Sequence, residues 1–239
     1  MSIFSNTLTE ICKICLDNSI KFTVTRCDRS GKVAPADIDL LVLPIDYQKI
    51  ILAAKKLGYS TSSHDGALGG RIKGMQINLV KPQRTKVDLH QDFTWRSTRY
   101  MDVNLIWKNL EQVRIDGVEC PMPRKNIDAF IILINIIFEK TYITLEDFNC
   151  IKDQLLKVLN DPVMADESRK YGWHKTFILF KRWFTSVKVS QFPLFLPSYI
   201  ILFSYLEKLI HEKKINIVSL LYYVFFRTRF IINRRLPYE

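Results

Sequence analysis

Residues 34–43 read APADIDLLVL, and this stretch decides the fold. Alternate residues of a strand share a face, so Ile38, Leu40 and Val42 point one way and Asp37 and Asp39 the other. Such a strand offers an apolar side to a core and sets two carboxylates next to each other on its far side. Like charges so placed cost stability, and a divalent cation between them removes that cost. Taken alone, D-x-D also reads as solvated acids at a strand entry. The alternation returns at Lys86–His90 (KVDLH), where Val87 and Leu89 take the apolar face while Asp88 and His90 share the polar one. If the two strands are sheet neighbours, Asp88 completes a three-carboxylate cluster whose oxygens suit Mg²⁺ or Mn²⁺.

The surrounding chain supplies partners for these strands. Upstream, Lys21–Cys27 alternates β-branched residues and predicts a strand, followed by a polar loop over Asp28–Pro35. A first helix is predicted from Leu8, Ile11, Cys12, Cys15 and Leu16, with Thr7 and Glu10 as a capping box. Downstream, Tyr47, Ile50, Ile51, Ala54 and Leu57 form one helix face, entered at Asp46 and stopped at Gly58. His64–Gly74 reads as a loop. Met75–Val80 and Lys86–Phe93 read as paired strands, with Pro82 in the turn between them. From Asn126 onward the periodicity is helical throughout: Ile127–Glu139, Thr144–Leu159, His174–Val187, Pro197–Lys213 and Ile217–Ile232. The expected class is α+β: an N-terminal α/β domain with a mixed sheet over residues 1–120, and an all-helical domain over residues 121–239.

Composition narrows the choice of partner. Of 239 residues, 48% are hydrophobic and 25% charged, values of a globular chain rather than a disordered or fibrous one. The net charge of +11 points to a polyanionic partner, and the larger share of the excess follows Cys120. Lys181, Arg182 and Trp183, and the tail arginines 227, 229, 234 and 235 among Phe225, Phe226 and Phe230, suit RNA or another phosphorylated surface. A helix that buries its aromatics and solvates its arginines is the plainer account. Cys12 and Cys15 lie at helical spacing with no second pair, so buried thiols are expected rather than a zinc or redox site. Met1–Glu10 lacks a leader pattern, and the apolar runs 129–138 and 217–226 fall short of the about 20 residues that a membrane span requires. A cytoplasmic protein is expected. No P-loop, kinase signature, nucleophile elbow or zinc set is present.

With their flanks, the two acidic strands resemble the polymerase-β-type nucleotidyltransferases. The likeness rests on APADIDLLVL, preceded by a strand and polar loop and followed by a helix, and on KVDLHQDFTW at 86–95 after a hairpin. It is similar in particular to a poorly characterised bacterial and archaeal branch whose third acid lies in a V/I-D-L-H-W-like strand. Residues 104–133 (NLIWKNLEQVRIDGVECPMPRKNIDAFIIL) extend the likeness, through a hairpin and a proline-containing segment that lead into an apolar helix. Residues 143–155 (ITLEDFNCIKDQL) resemble the next helix.

The resemblance implies metal-dependent transfer of a nucleoside monophosphate from an NTP such as ATP, with release of pyrophosphate. Asp37 and Asp39 would hold both metals of a two-metal site, and Asp88 the metal that activates the incoming hydroxyl. Mg²⁺ or Mn²⁺ is the implied cofactor and the NTP a substrate. The acceptor is left open between RNA, protein and a small molecule, and so are a homodimer and a toxin-like role. The superfamily carries Gly-Ser on the strand before D-x-D, where this chain has Val24 and Thr25. Thr25 keeps the hydroxyl, and Arg26, Arg29 and Lys32 are candidate phosphate ligands in the following loop. His90 is a candidate to orient a carboxylate or touch substrate, and Asp92 lies farther along the same face. A relative that has lost catalysis and binds RNA or a protein is the alternative.

Overall fold

The computed structural model describes residues 2–26, 37–63, 77–95, 98–187 and 191–212. Arg29, Lys32, the glycine-containing loop, the expected helix Ile217–Ile232 and the arginines at 227, 229, 234 and 235 lie outside the described residues.

Helix α1 (Ile3–Asp17) starts about a turn earlier than the Thr7–Glu10 capping box predicted. Ser2 is the cap, its hydroxyl accepting the Ser5 N–H at 3.0 Å. Phe4 extends the buried stripe of Leu8, Ile11, Cys12 and Cys15 by one turn, and that burial draws the helix back to Ser2. Thr7 then bonds inside the helix, to the Ile3 carbonyl at 2.8 Å. Glu10 reaches outward to Lys81 Nζ at 2.6 Å and Arg84 Nε at 2.9 Å, tying α1 to a hairpin of the sheet.

The central sheet contains β1 (Phe22–Thr25), β2 (Asp37–Val42), β3 (Ser60–Ser63), β4 (Ile77–Val80) and β5 (Lys86–His90), in the order β1-β2-β5-β4-β3. β2 and β5 run parallel, and the other neighbours are antiparallel. Helix α2 (Tyr47–Lys56) links β2 to β3. Edge strand β3 is made of Ser and Thr, and its lack of apolar alternation hid it from the sequence pattern. After a two-residue ladder of β6 (Thr94–Trp95) and β7 (Thr98–Arg99) comes short helix α3 (Val103–Trp107). Strands β8 (Leu110–Ile115) and β9 (Val118–Pro123) then form a hairpin. Its turn places Asp116 at φ 47 and Gly117 at φ 85, the paired left-handed geometry that Asp-Gly favours. β9 lies beside β1, where Thr23 Oγ1 donates to the Pro121 carbonyl at 3.0 Å.

The helical part begins with α4 (Lys125–Asn135), which widens into a π turn over Ile136–Lys140 and ends at Thr141 with φ 64. After β10 (Tyr142–Ile143), α5 (Leu145–Asn160) opens on a reciprocal capping box between Thr144 and Asp147. Helix α6 (Pro162–Lys170) went unread in the sequence because its apolar pattern is weak. Asp161 caps it and Pro162 sits in its first turn, where a missing N–H costs nothing. α7 (His174–Ser186), β11 (Leu194–Phe195, paired with β10) and α8 (Ser198–Glu212) complete the described chain.

Two cores lie on opposite faces of the sheet. Ile38, Leu40, Val42, Val87 and Leu89 pack with α1 and α2, and the buried thiols of Cys12, Cys15 and Cys120 belong to this core. Burial, with Asp46 nearby, pushes the Cys15 thiol up to about 12, so it stays protonated and inert. Leu41 points the other way and joins a second core built on Phe130, Trp173, Phe177 and Phe180. Trp173 is fully buried, and its Nε1 donates to the Tyr100 carbonyl at 2.9 Å. The molecule is an α+β protein with a mixed sheet and a helical part. Among the described residues no helix is long and apolar enough to cross a membrane.

Candidate active site

The register of the sheet brings polar residues into one row. Asp39 stands opposite Asp88 in the parallel pair β2–β5, Thr25 lies across from Asp39, and Asn78 lies across from Asp88. Asp37 stands opposite Lys86, one step along the same face. Strand alternation puts Ile38, Leu40, Val87 and Leu89 in the apolar core and leaves the acids on the far face. Asp39 and Asp88 keep only 8% and 5% of their surface exposed, too little for solvated acids at a strand entry. Thr25 Oγ1 and Asn78 Oδ1 are buried at the two ends of this row, with no hydrogen-bond partner among the described residues. Val24 is buried in the apolar core, so its side chain departs from the row of acids.

Two cations hold the acids together. Arg26 Nη2 donates to Asp39 Oδ1, and His90 Nε2 lies 2.9 Å from the same oxygen. Arg26 has a left-handed backbone (φ 57), fixed where its N–H donates to Asp128 Oδ1 in the first turn of α4 at 2.9 Å. Its Nη1 lies 3.9 Å from Glu139, which the π turn presents and which accepts from Asn135 Nδ2. Lys86 Nζ sits between the other two acids, 3.2 Å from Asp37 Oδ2 and 3.0 Å from Asp88 Oδ1.

These surroundings drive neighbouring carboxylates in opposite directions. Burial would raise the proton affinity of Asp39, but Arg26 and His90 outweigh it and hold this carboxyl well below the usual range. Asp88 moves upward. Burial is the largest cause, Lys86 offsets part of it, and the negative charges of Asp39 and Asp37 add to it. Asp88 is the one of this pair that takes a proton more readily.

Of the residues singled out in the sequence, Thr25, Asp37, Asp39, Asp88 and His90 come together. Arg26 joins them on Asp39, half-buried rather than standing in an open loop. Asp92 turns to Arg99 and to the Phe93 N–H instead. Sequence reading missed Lys86, Asn78, Asp128 and Glu139. The parity of K-V-D-L-H carried the signal for Lys86, whereas Asp128 and Glu139 arrive through packing of a distant helix.

Among the described residues no three His, Cys, Asp or Glu close on a point that could hold a metal ion. The Lys86 ammonium and the Arg26 guanidinium stand among the carboxylates. The donor set nevertheless suits a hard divalent cation, because every candidate ligand is an oxygen and Thr25 Oγ1 and Asn78 Oδ1 are buried without partners among the described residues.

No family model and no curated protein matches the chain. Solved structures do. The lincosamide antibiotic adenylyltransferase LnuA, in its lincomycin-bound form, is 15% identical over 64% of this chain and 96% of its own, with a TM-score of 0.45. The antibiotic-resistance factor ANT(2'')-Ia is 8% identical over 77% of this chain and 97% of its own, with a TM-score of 0.47. A putative nucleotidyltransferase from Thermotoga maritima is 19% identical over 66% of this chain and 92% of its own, with a TM-score of 0.40.

Proposed function

We propose that the acidic face is the centre of a nucleotidyltransferase that moves a nucleoside monophosphate from an NTP to an acceptor and releases pyrophosphate. The observation that carries this reading is the register: Asp39 directly beside Asp88 on parallel strands, with Asp37 one step along the same face. Asp37, Asp39 and Asp88 would hold Mg²⁺ or Mn²⁺. Held by these acids, such cations would neutralise charge on the triphosphate and make the acceptor hydroxyl easier to deprotonate.

The chain's own residues supply the rest. Arg26 and His90 keep Asp39 ionised and fixed in place. Asp88, nearly buried beside Asp39, is the candidate to take the proton that the acceptor hydroxyl gives up. Thr25, whose hydroxyl has no partner among the described residues, would offer it to a phosphate oxygen at the edge of the row, and Arg29 and Lys32 are candidates for the same anion. In this reading residues 1–120 carry the chemistry, and residues 121–239 shape the side from which RNA, a protein or a small molecule enters.

A binding module without catalysis is favoured by one observation, the ion pairs that already neutralise the acids. Incubation with each labelled NTP, Mg²⁺ or Mn²⁺, and pools of RNA, protein and small hydroxylic compounds separates the two. Transfer of label with pyrophosphate release, lost in Asp39→Asn, supports the enzyme. Absence of transfer to every pool, with RNA or protein still bound, supports the module.

A further inference from the structure

Four side chains form a square on the acidic face. Two corners belong to β2, Asp37 and Asp39; two belong to β5, Lys86 and Asp88. Three corners are acids and the fourth is a cation, placed there by register and strand parity. Lys86 Nζ touches both neighbouring acids, at 3.2 Å from Asp37 Oδ2, 3.0 Å from Asp88 Oδ1 and 3.1 Å from Asp88 Oδ2. Asp88 is nearly buried, whereas the Lys86 side chain keeps 31% of its surface exposed and so has a path to solvent. Arg26, at the other end of the cluster, keeps 17% and is also held by its backbone N–H on Asp128. The two cations therefore differ in their freedom to leave.

We propose that Lys86 is a resident counter-ion that a divalent cation must displace, and that the displaced ammonium then takes up a phosphate of the incoming nucleotide. This rests on the reading of Asp37, Asp39 and Asp88 as the metal-binding acids. An ammonium about 3 Å from carboxylate oxygens and a Mg²⁺ at about 2.1 Å from the same oxygens fill one space, so the two exclude each other. Loading is then an exchange, and the affinity for the bare cation is lowered by the cost of removing the ammonium. The lysine stem is flexible, with three rotatable donors, and remains tethered on the strand beside the acids. The nucleotide brings the anion that the displaced charge lacks. The device would keep three acids compatible in the metal-free protein and favour loading of the cation together with the NTP.

The test replaces Lys86 by Met in the full chain and reads two affinities. One is Mn²⁺ alone, by electron paramagnetic resonance of the free ion; the other is a non-hydrolysable ATP analogue in saturating Mg²⁺, by calorimetry. Lys86→Met should bind Mn²⁺ roughly three- to tenfold more tightly and the analogue weaker by a similar factor. Circular dichroism checks the fold, and Lys86→Gln serves if the Met variant does not fold. The opposite signs are the signature, because general damage weakens both affinities. If both fall, or if either is unchanged, the proposal is overturned. If neither the parent nor the variant binds Mn²⁺, the failure lies in the metal-site reading instead.

Discussion

The two faces of the central sheet are built from the same strands and do opposite work. On one face Ile38, Leu40, Val42, Val87 and Leu89 bury hydrocarbon against α1 and α2. On the other, Asp37, Asp39, Asp88, Thr25 and Asn78 occupy positions one residue out of phase with them. The apolar face stabilises by removing surface from water. The polar face places acids side by side and holds two buried oxygens that have no partner among the described residues, which costs stability. A bound cation or nucleotide, as proposed above, would offset that cost. Parity divides the acids from the first core, while Leu41, of the same parity as Asp39, is fully buried in the second.

The largest expected effect falls on the polar face and on activity. Asp37→Asn should lower label transfer by about 10³-fold, the equivalent of several kcal/mol of charge stabilisation, while urea denaturation changes little because the Asp37 side chain is 37% exposed. The counterpart is Leu40→Ala on the apolar face. Leu40 is fully buried, so its truncation should cost about 2–5 kcal/mol in urea denaturation and leave Mn²⁺ affinity in the surviving folded fraction unaltered. Equal stability losses in the two variants would erase the distinction between the faces.

Smaller effects sharpen it. Thr25→Val removes a buried hydroxyl that has no partner among the described residues, at almost constant shape, so stability should stay within about 0.5 kcal/mol or rise, while affinity for a Mg²⁺–ATP analogue falls severalfold. The smallest effect concerns Asp88. Its folded-state proton affinity is raised, so the folded protein binds more protons than the unfolded chain, and stability declines as pH rises through that raised value. Below the ordinary carboxylate range this contribution vanishes. Asp88→Asn should therefore raise Tm slightly at neutral pH, by no more than the about 2–4 °C that corresponds to 1 kcal/mol in a chain of this size, and should have no such benefit in acid. A lower Tm at neutral pH would mean that Lys86 outweighs burial.

The sequence made one part of this contrast legible and hid another. Alternation in D-I-D-L-L-V and K-V-D-L-H assigned both faces, because a period of two is local. The register that sets Asp39 beside Asp88 depends on which strands become neighbours, and only the conditional form of that reading was available. Lys86 shares the parity of Asp88 and was open to the same logic. Arg26 was legible as a cation, but its place on Asp39 follows from a left-handed backbone held by Asp128 of a helix a hundred residues away. Glu139 enters through a π turn that no periodicity announces. Helix α6 and strand β3 escaped because neither carries a regular apolar pattern.

Calorimetric titration with Mn²⁺ decides whether the aspartates of the polar face bind a divalent cation. The parent protein should show saturable binding, and Asp37→Asn combined with Asp39→Asn should lose it with an unchanged circular dichroism spectrum. Unchanged Mn²⁺ affinity in the double variant would contradict the account.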